Sequence, residues 1–352
     1  MRPIWFVTRK YPPRRGGMEL LSYEVTTRIA LRRPVRIVAA KGGVWSLPWF
    51  MLRAAVQLFV GCSRGEVALV HLGDPVLAPL ATIARAFGVR VVVTIHGLDI
   101  TYDVWPYPLL RHIFLRRVDA CVFISRATKA AAAQRDVAAR RTETIGIGVD
   151  LSSIPTPEVD REDNLLLFVG RLVKRKGLAW FVGEVLPDLT RDHSNLRLAV
   201  IGEGSERRRI EAVASAAGVG DRLLWLGAVP DASKWQWLAR ATVCVMPNVP
   251  VDGDMEGYGI VALEAIACGC PLVAADLEGL RDAVDGFEGR ILLPAGAAPE
   301  WRLALRALLD DCNARNRMIV DARRWIEAAR DWTAIIDRYD RLFSDLIAER
   351  CS

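Results

Sequence analysis

The sequence predicts an α/β protein made of two doubly wound parallel-sheet domains. Three observations carry that prediction. The chain has 352 residues, more than one ordinary core needs and enough for two domains with a ligand cleft between them. Short apolar runs alternate with helical patterns, as in parallel strands joined by crossover helices. That alternation stops at a segment rich in Pro, Ser and acid, GVDLSSIPTPEVDRED (148–163), and then restarts. The domains are accordingly expected at 1–157 and 158–331.

In the first half PIWFVT, VRIVAA, VALVHL, VRVVVTIH and ACVFIS read as strands, each followed by a turn or a helix. In the second half NLLLFVG, LRLAVIG, DRLLWLG, ATVCVMP, CPLVAAD and GRILLP do the same. From about Trp332 the spacing of Ile335, Ile336, Tyr339, Leu342, Phe343, Leu346 and Ile347 predicts one long amphipathic helix. VWSLPWFMLRAAVQLFVG (44–61) is a further helix. Its polar Arg53 and Gln57 lie four apart on one face, while Trp45, Trp49, Phe50, Leu52, Val56 and Phe59 cover the remainder. It reads either as a core helix or as one lying in a membrane interface.

Composition narrows the class. The chain is 52% hydrophobic and 25% charged, which suits a globular protein and argues against long disorder. The net charge of +6 conceals an asymmetry: residues 1–157 carry 22 Lys and Arg against 10 Asp and Glu, residues 158–352 carry 25 against 31. The basic first half suits an anionic partner, such as a lipid surface or an anionic acceptor; a solvated Arg-rich surface is the plain alternative. Seven cysteines, at 62, 121, 244, 268, 270, 312 and 351, form no metal-type doublets and fit reduced thiols in a cytoplasmic protein. The start MRPIWFVTRKYPPRRGG lacks the apolar region of a signal peptide, and no stretch has the roughly 18 uncharged residues of a membrane span.

Four clusters are candidates for chemistry. In EGYGIVALEA (256–265) a helix starting near Gly259 or Ile260 leaves Glu256 in the preceding loop and sets Glu264 about one turn in, among apolar neighbours. An unpartnered carboxylate there costs several kcal/mol, so Glu264 needs a partner, and a vicinal diol such as ribose offers two donors. Gly257 and Gly259 allow close approach of backbone to a ligand, and the helix start offers amides to an anion. In FVGRLVKRKG (168–177), Arg171 and Lys176 follow a strand, where ligands of doubly wound sheets bind, and could clamp a diphosphate. Lys174 and Arg175 read as an exposed basic loop. In YPPRRGG (11–17), Gly16 and Gly17 let amides approach a phosphate ahead of a helix. In TIHGLD (94–99), His96 ends an apolar strand at the sheet edge that faces a cleft.

Other constellations fail. IGEGSER (201–207) has Arg207 where a dinucleotide loop needs its third glycine, and there is no Walker sequence, nucleophile elbow, zinc pattern or RNA-binding module. No nucleic acid and no metal are expected.

Nine segments in order resemble the family 4 retaining glycosyltransferases over nearly the whole chain: PPRRGG, IHG, ISRATK, GIGVD, GRLVKRKG, IGEGSERRRIE, LGAVPDASKWQWLARATVCVMPN, EGYGIVALEA and GCPLVAAD. The resemblance implies the GT-B architecture, two Rossmann-like domains facing across a cleft. It implies an acceptor-binding first domain joined by the 332–352 helix, and a second domain holding a UDP- or GDP-sugar. Glu256 would then hold donor-sugar hydroxyls, Glu264 the ribose diol, and the amides of Tyr258, Gly259 and Ile260 the sugar and phosphates. Arg171 and Lys176 would clamp the diphosphate without a metal, His96 would line the sugar site, and Gly16 and Gly17 would close over the phosphates. Backbone near Gly202 and Val229 would surround the base. The implied reaction transfers a hexose, with retention by front-face attack, to a lipid-linked or cell-surface glycan such as a lipopolysaccharide or other polysaccharide precursor. Peripheral contact with an anionic membrane at the inner face of the cell membrane would follow. A nucleotide-sugar epimerase of the same fold, or a non-catalytic partner subunit, are the alternatives. TIGIGVD lacks the Pro-Asn frequent before Gly-Val-Asp in relatives, and Asp252 and Asp254 are extra acids near the site.

Overall fold

The computed structural model describes residues 1–13, 16–40, 46–137, 139–154 and 161–349. Arg14, Arg15, Trp45, Cys351, the middle of the proposed linker (155–160) and the last residues of the 332–352 segment lie outside the described residues. All eleven apolar runs are strands. The first five are β1 (Ile4–Thr8), β2 (Val35–Ala39), β3 (Leu69–Leu72), β4 (Arg90–Ile95) and β5 (Ala120–Phe123). A sixth strand, β6 (Arg141–Thr144), completes a parallel sheet of order β2-β1-β3-β4-β5-β6. Its sequence, RTET, has no apolar run, because an edge strand bonded only to β5 needs backbone pairing and little burial. The second sheet, order β12-β11-β10-β7-β8-β9, holds β7 (Leu165–Val169), β8 (Arg197–Ile201), β9 (Leu223–Gly227), β10 (Val243–Met246), β11 (Leu272–Ala275) and β12 (Ile291–Leu293), again all parallel.

The chain divides into two compact units, one of Met1–Ile147 with the chain from Trp332 on, the other of Gly148–Asp331. In the first unit the alternation of a strand decides what packs where. Trp5 and Val7 of β1 join Phe50, Ala54, Leu58 and Cys62 of helix Leu47–Ser63, together with Leu77, Leu80, Ala84 and Leu115, in one core. Phe6 and His71 point the other way, against Phe343 and, for His71, Tyr339 of the terminal helix Trp332–Ala348. That helix is fastened to the turn after helix Gly17–Ala30 by Arg33–Asp340 and Arg32–Asp337 ion pairs, both 2.6 Å.

The 44–61 segment is, from Leu47 on, a helix with one face in the core. Its inward stripe is core, but Trp49, Leu52, Val56 and Phe59 stay exposed at 73, 56, 55 and 56%. Among the described residues no helix is long and apolar enough to cross a membrane.

Candidate active site

In the second sheet the chain runs outward in opposite senses from β7 and β10, which are neighbours. Ligands of open α/β sheets bind at the carboxyl ends of the strands flanking such a point. The segments after these two strands meet there. Beyond β7, residues Lys174–Lys176 form one turn of 3₁₀ helix that ends at Gly177, with φ +67°. A Cβ at Gly177 would stand 1.8 Å from the carbonyl oxygen of Pro247, so only glycine lets the post-β7 turn cross the post-β10 segment this closely. The Val249 amide donates to the Arg175 carbonyl at 2.9 Å and locks the crossing.

The crossing places Lys176 against Glu256. The ammonium donates to Glu256 Oε2 at 2.5 Å, and Asn248 Nδ2 donates to the same oxygen at 3.0 Å. Both partners are about nine-tenths buried. Burial pushes the Glu256 carboxyl up, but the charges of Lys176 and Arg175, with the two hydrogen bonds, more than reverse it and leave its pKa below the ordinary value. Arg175 is a correction to the expectation of an exposed basic loop. Lys174 is exposed, but Arg175 turns inward, 3.2 Å from Asp254 and 3.8 Å from Glu256, because one turn of 3₁₀ helix sends neighbouring side chains in different directions. Asp254, without a role from sequence, thereby acquires one as a counter-ion. Arg171 is exposed, and its guanidinium has no polar partner among the described residues.

Helix Ile260–Ala267 begins after Gly259, whose φ is +83°. Tyr258 is buried beside it; in the first turn the Ala262 amide donates to the Gly259 carbonyl at 2.9 Å, while those of Ile260 and Val261 precede the first intrahelical i−4 bond. Glu264, 6% exposed, has a protein partner that its sequence neighbourhood does not reveal: Lys234, on helix Asp231–Arg240, donates to Oε1 at 2.7 Å. Burial raises the Glu264 pKa and Lys234 only partly offsets it, while the two acids near Lys234 raise the lysine's own pKa against its burial. In both glutamates the lysine occupies one oxygen. Glu256 Oε1 and Glu264 Oε2 have no hydrogen-bond partner among the described residues.

Gly202 follows β8 and Val229 lies two residues past β9. A Cβ on Gly202, φ +133°, would meet the Gly170 carbonyl oxygen at 1.9 Å, so the ends of β7 and β8 are in backbone contact. These positions share the carboxyl edge of the sheet with Lys176 and Glu256.

His96, Gly16 and Gly17 belong to the first unit. His96 follows β4 and is nearly buried; its Nε2 lies 2.8 Å from the Gly73 carbonyl oxygen, and the Asp99 carboxylate accepts from the amides of His96 and Gly97 at 2.8–3.0 Å. His71, behind the same edge, has its pKa lowered to about 3 by burial, with His96 adding to the effect, so it is neutral. Gly16 precedes the helix that starts at Gly17, and a Cβ on Gly16 would stand 2.5 Å from the Glu19 carboxylate. Arg111 is 4% exposed and donates to the Ile100 carbonyl. Among the described residues no three His, Cys, Asp or Glu are grouped to hold a metal.

Two family models divide the chain. Glycosyltransferase Family 4 matches residues 4–153 and Glycosyl transferases group 1 matches residues 153–325. The chain belongs to the family 4 glycosyltransferases. It is an enzyme that transfers glycosyl groups. This glycosyltransferase is 28% identical to the GDP-mannose-dependent alpha-(1-6)-phosphatidylinositol monomannoside mannosyltransferase of Mycolicibacterium smegmatis, over 91% of this chain and 92% of that one. It is 34% identical to the D-inositol 3-phosphate glycosyltransferase of Frankia alni over 52% of this chain and 48% of the relative. Among solved structures, sucrose-phosphate synthase from Thermosynechococcus elongatus superposes with a TM-score of 0.81 over 99% of this chain and all of its own, at 20% identity. Anabaena HepE with UDP-glucose gives 0.77 over 98% and 100%, at 17%. The fold is therefore that of the GT-B glycosyltransferases, with two six-stranded parallel sheets.

Proposed function

We propose that this glycosyltransferase moves a hexose, with retention, from a GDP- or UDP-sugar to a hydroxyl of a lipid-linked or cell-surface glycan, without a metal. The observation that carries the proposal is the Lys176–Glu256 pair at the sheet's switch point, in the same loop as an Arg171 that has no counter-ion among the described residues. Arg171 supplies an unspent charge to the diphosphate, and Lys176, with one of its three N–H groups used, supplies two more donors. Together they stabilise the charge that develops as the sugar–oxygen bond breaks. The free oxygen of Glu256 holds sugar hydroxyls, that of Glu264 the ribose diol, and the helix-start amides the phosphates. The acceptor hydroxyl attacks from the side the diphosphate leaves and passes its proton to the departing phosphate oxygen, so no side-chain nucleophile is required. The activities named for the relatives, GDP-mannose-dependent transfer to a phosphatidylinositol mannoside and glycosylation of inositol 3-phosphate, support GDP-mannose as donor and a phosphate-bearing acceptor.

Contact with an anionic membrane is part of the proposal. The layer on one face of the first sheet turns Trp49, Leu52, Val56 and Phe59 outward from one helix, and Leu109, Leu110 and Ile113 from helix Tyr107–Leu115, with Trp105 80% exposed just before it. Neither stretch, 46–65 or 104–118, contains an acid, and the exposed Arg64, Arg116 and Arg117 lie at their C-terminal ends, although Glu66, Asp103 and Asp119 flank them.

The test is a thermal-shift panel with UDP, GDP, ADP and NAD, followed by release of nucleoside diphosphate from the matching sugar nucleotide with and without a phosphoinositide acceptor. One nucleoside diphosphate should raise the melting point, and Arg171→Ala should abolish that rise while leaving the ligand-free melting point unchanged. No rise with any of the four overturns the donor site; consumption of donor without acceptor favours the epimerase. Salt-sensitive flotation with anionic vesicles, lost in Trp49→Ser/Phe59→Ser, tests the membrane face.

A further inference from the structure

Glu278 sits in a backbone conformation that its side chain does not favour. It opens the short helix Glu278–Ala283 after β11 with φ +45°. The other described non-glycine residues with positive φ are Asp136 and Asn164, whose short polar side chains tolerate the left-handed region; glutamate lacks that tolerance. A non-glycine outlier persists only where its surroundings hold it, and such residues gather at ligand sites.

What holds Glu278 is the main chain of Glu256. Glu278 Oε2 accepts from the Glu256 amide at 2.5 Å, and the next amide, that of Gly279, donates to the Glu256 carbonyl oxygen at 3.1 Å. Both backbone polar groups of Glu256 thus end on two consecutive residues of one turn. Gly279 permits the approach: a Cβ there would stand 2.3 Å from the Gly257 carbonyl oxygen and 2.6 Å from the Tyr258 nitrogen. The arrangement carries an electrostatic cost. Burial raises the Glu278 pKa and the charges of Glu256 and Asp254 add to it, while the Glu256 amide and Arg175 act against it. A third carboxylate is therefore held beside two others in a left-handed conformation, and among the described residues its carboxylate hydrogen-bonds only the peptide that carries Glu256.

We propose that Glu278 is a positioning residue for the donor loop, locking the Glu256 peptide so that the Glu256 carboxylate and the helix-start amides of Gly259 and Ile260 are presented to one donor sugar. The Glu256 side chain is fixed from β7 by Lys176; its main chain is fixed from β11 by Glu278. With both anchors the carboxylate cannot swing with Lys176 when a diphosphate draws the lysine. The role as donor loop rests on the function proposed above; the anchoring itself does not.

The experiment compares the wild type with Glu278→Gly, which suits the positive φ and removes the anchor, and Glu278→Gln, which keeps an acceptor oxygen without the charge. Hydrogen exchange of the peptide spanning 253–263 is read in the donor-free full chain, alongside melting points and, with the active donor, kcat and KM. Glu278→Gly should melt at or above the wild-type temperature while the Glu256 amide exchanges at least tenfold faster and kcat falls at least tenfold, with a smaller change in KM. Glu278→Gln should restore most of the protection and most of kcat. Unchanged exchange in Glu278→Gly overturns the anchor. Faster exchange with unaltered kcat overturns the positioning role. If the wild type turns over no sugar nucleotide, the proposed function fails, and the exchange data still decide the anchor.

Discussion

Replacing Lys234 with methionine isolates the ion pair that keeps Glu264 charged inside the protein. The pair is 2.7 Å long, and the side chains are 15% and 8% exposed. At that distance and an effective dielectric constant of about 20, the attraction is about 6 kcal/mol, most of which offsets the desolvation of two ions. Methionine keeps the packing but strands the carboxylate, and breaking a buried pair this way costs roughly 3–5 kcal/mol. Glu264 can escape part of that by taking up a proton, since burial already raises its pKa, so the lower end, about 3 kcal/mol, is expected near neutral pH. For a unit of this size each kcal/mol moves the melting point by roughly 2–4 °C, giving a fall of about 6–12 °C. The sign with pH follows. A carboxyl whose folded pKa is raised destabilises the folded state while ionised and ceases to do so as pH falls through that raised value, so the deficit of Lys234→Met should be largest at pH 8 and shrink toward pH 5. Thermal melts across that range, with Lys234→Met/Glu264→Gln as the second arm, make the measurement. The double variant should recover most of the loss. A melting point for Lys234→Met within about 1 °C of wild type at pH 8 would refute the reasoning, for it would mean that Glu264 is either hydrated or already neutral.

Two further outcomes test the crossing of the loops. The folded pKa of Glu256 is lowered, so its contribution is complete above the ordinary carboxylate value and is lost as pH falls through the folded one; Glu256→Gln should be less stable than wild type at pH 7, and urea midpoints of the two should converge in acid. Gly177→Ala combines a positive φ with a Cβ 1.8 Å from a carbonyl oxygen and should lose about 3 kcal/mol or more in the same assay; a midpoint near wild type would show that the two segments do not cross as described.

The strands were legible because a strand of a doubly wound parallel sheet is a short, mainly apolar run, and eleven of the twelve have that form, the edges β2, β9 and β12 included. The twelfth, Arg141–Thr144, is an edge whose pairing leaves no compositional trace. The site was legible where residue type and position in the chain suffice: a basic pair after one strand, glutamates around a helix start after another. Its partners were not. Lys234 is one lysine on an ordinary helix 30 residues before Glu264, and Arg175 is told from Lys174 only by the direction in which a tight turn points each side chain. Glu278 leaves no signal at all, since a glutamate at a helix start is an ordinary first-turn acid and only its φ marks it.

Why a carboxylate should be buried at position 264 now has a two-part answer. An acid inside an apolar helix face requires a charged partner to remain ionised, and Lys234 provides it through one oxygen. A lysine has a single point of charge, so the second oxygen is left over, held rigidly by the first. The same division recurs at Glu256, where Lys176 and Asn248 both converge on Oε2 and leave Oε1 open. A carboxylate fully satisfied by protein would gain nothing from a diol, and one satisfied by nothing would protonate. Half-satisfied, each stays an acceptor with one fixed direction, which is what recognition of a neutral, hydroxyl-bearing ligand requires. The polyanionic part of the same ligand needs the opposite, charge without a counter-ion, and Arg171 has none among the described residues. Acceptors for hydroxyls and free charge for a diphosphate thus occur side by side at one switch point, a combination that matches the two chemically different ends of a sugar nucleotide.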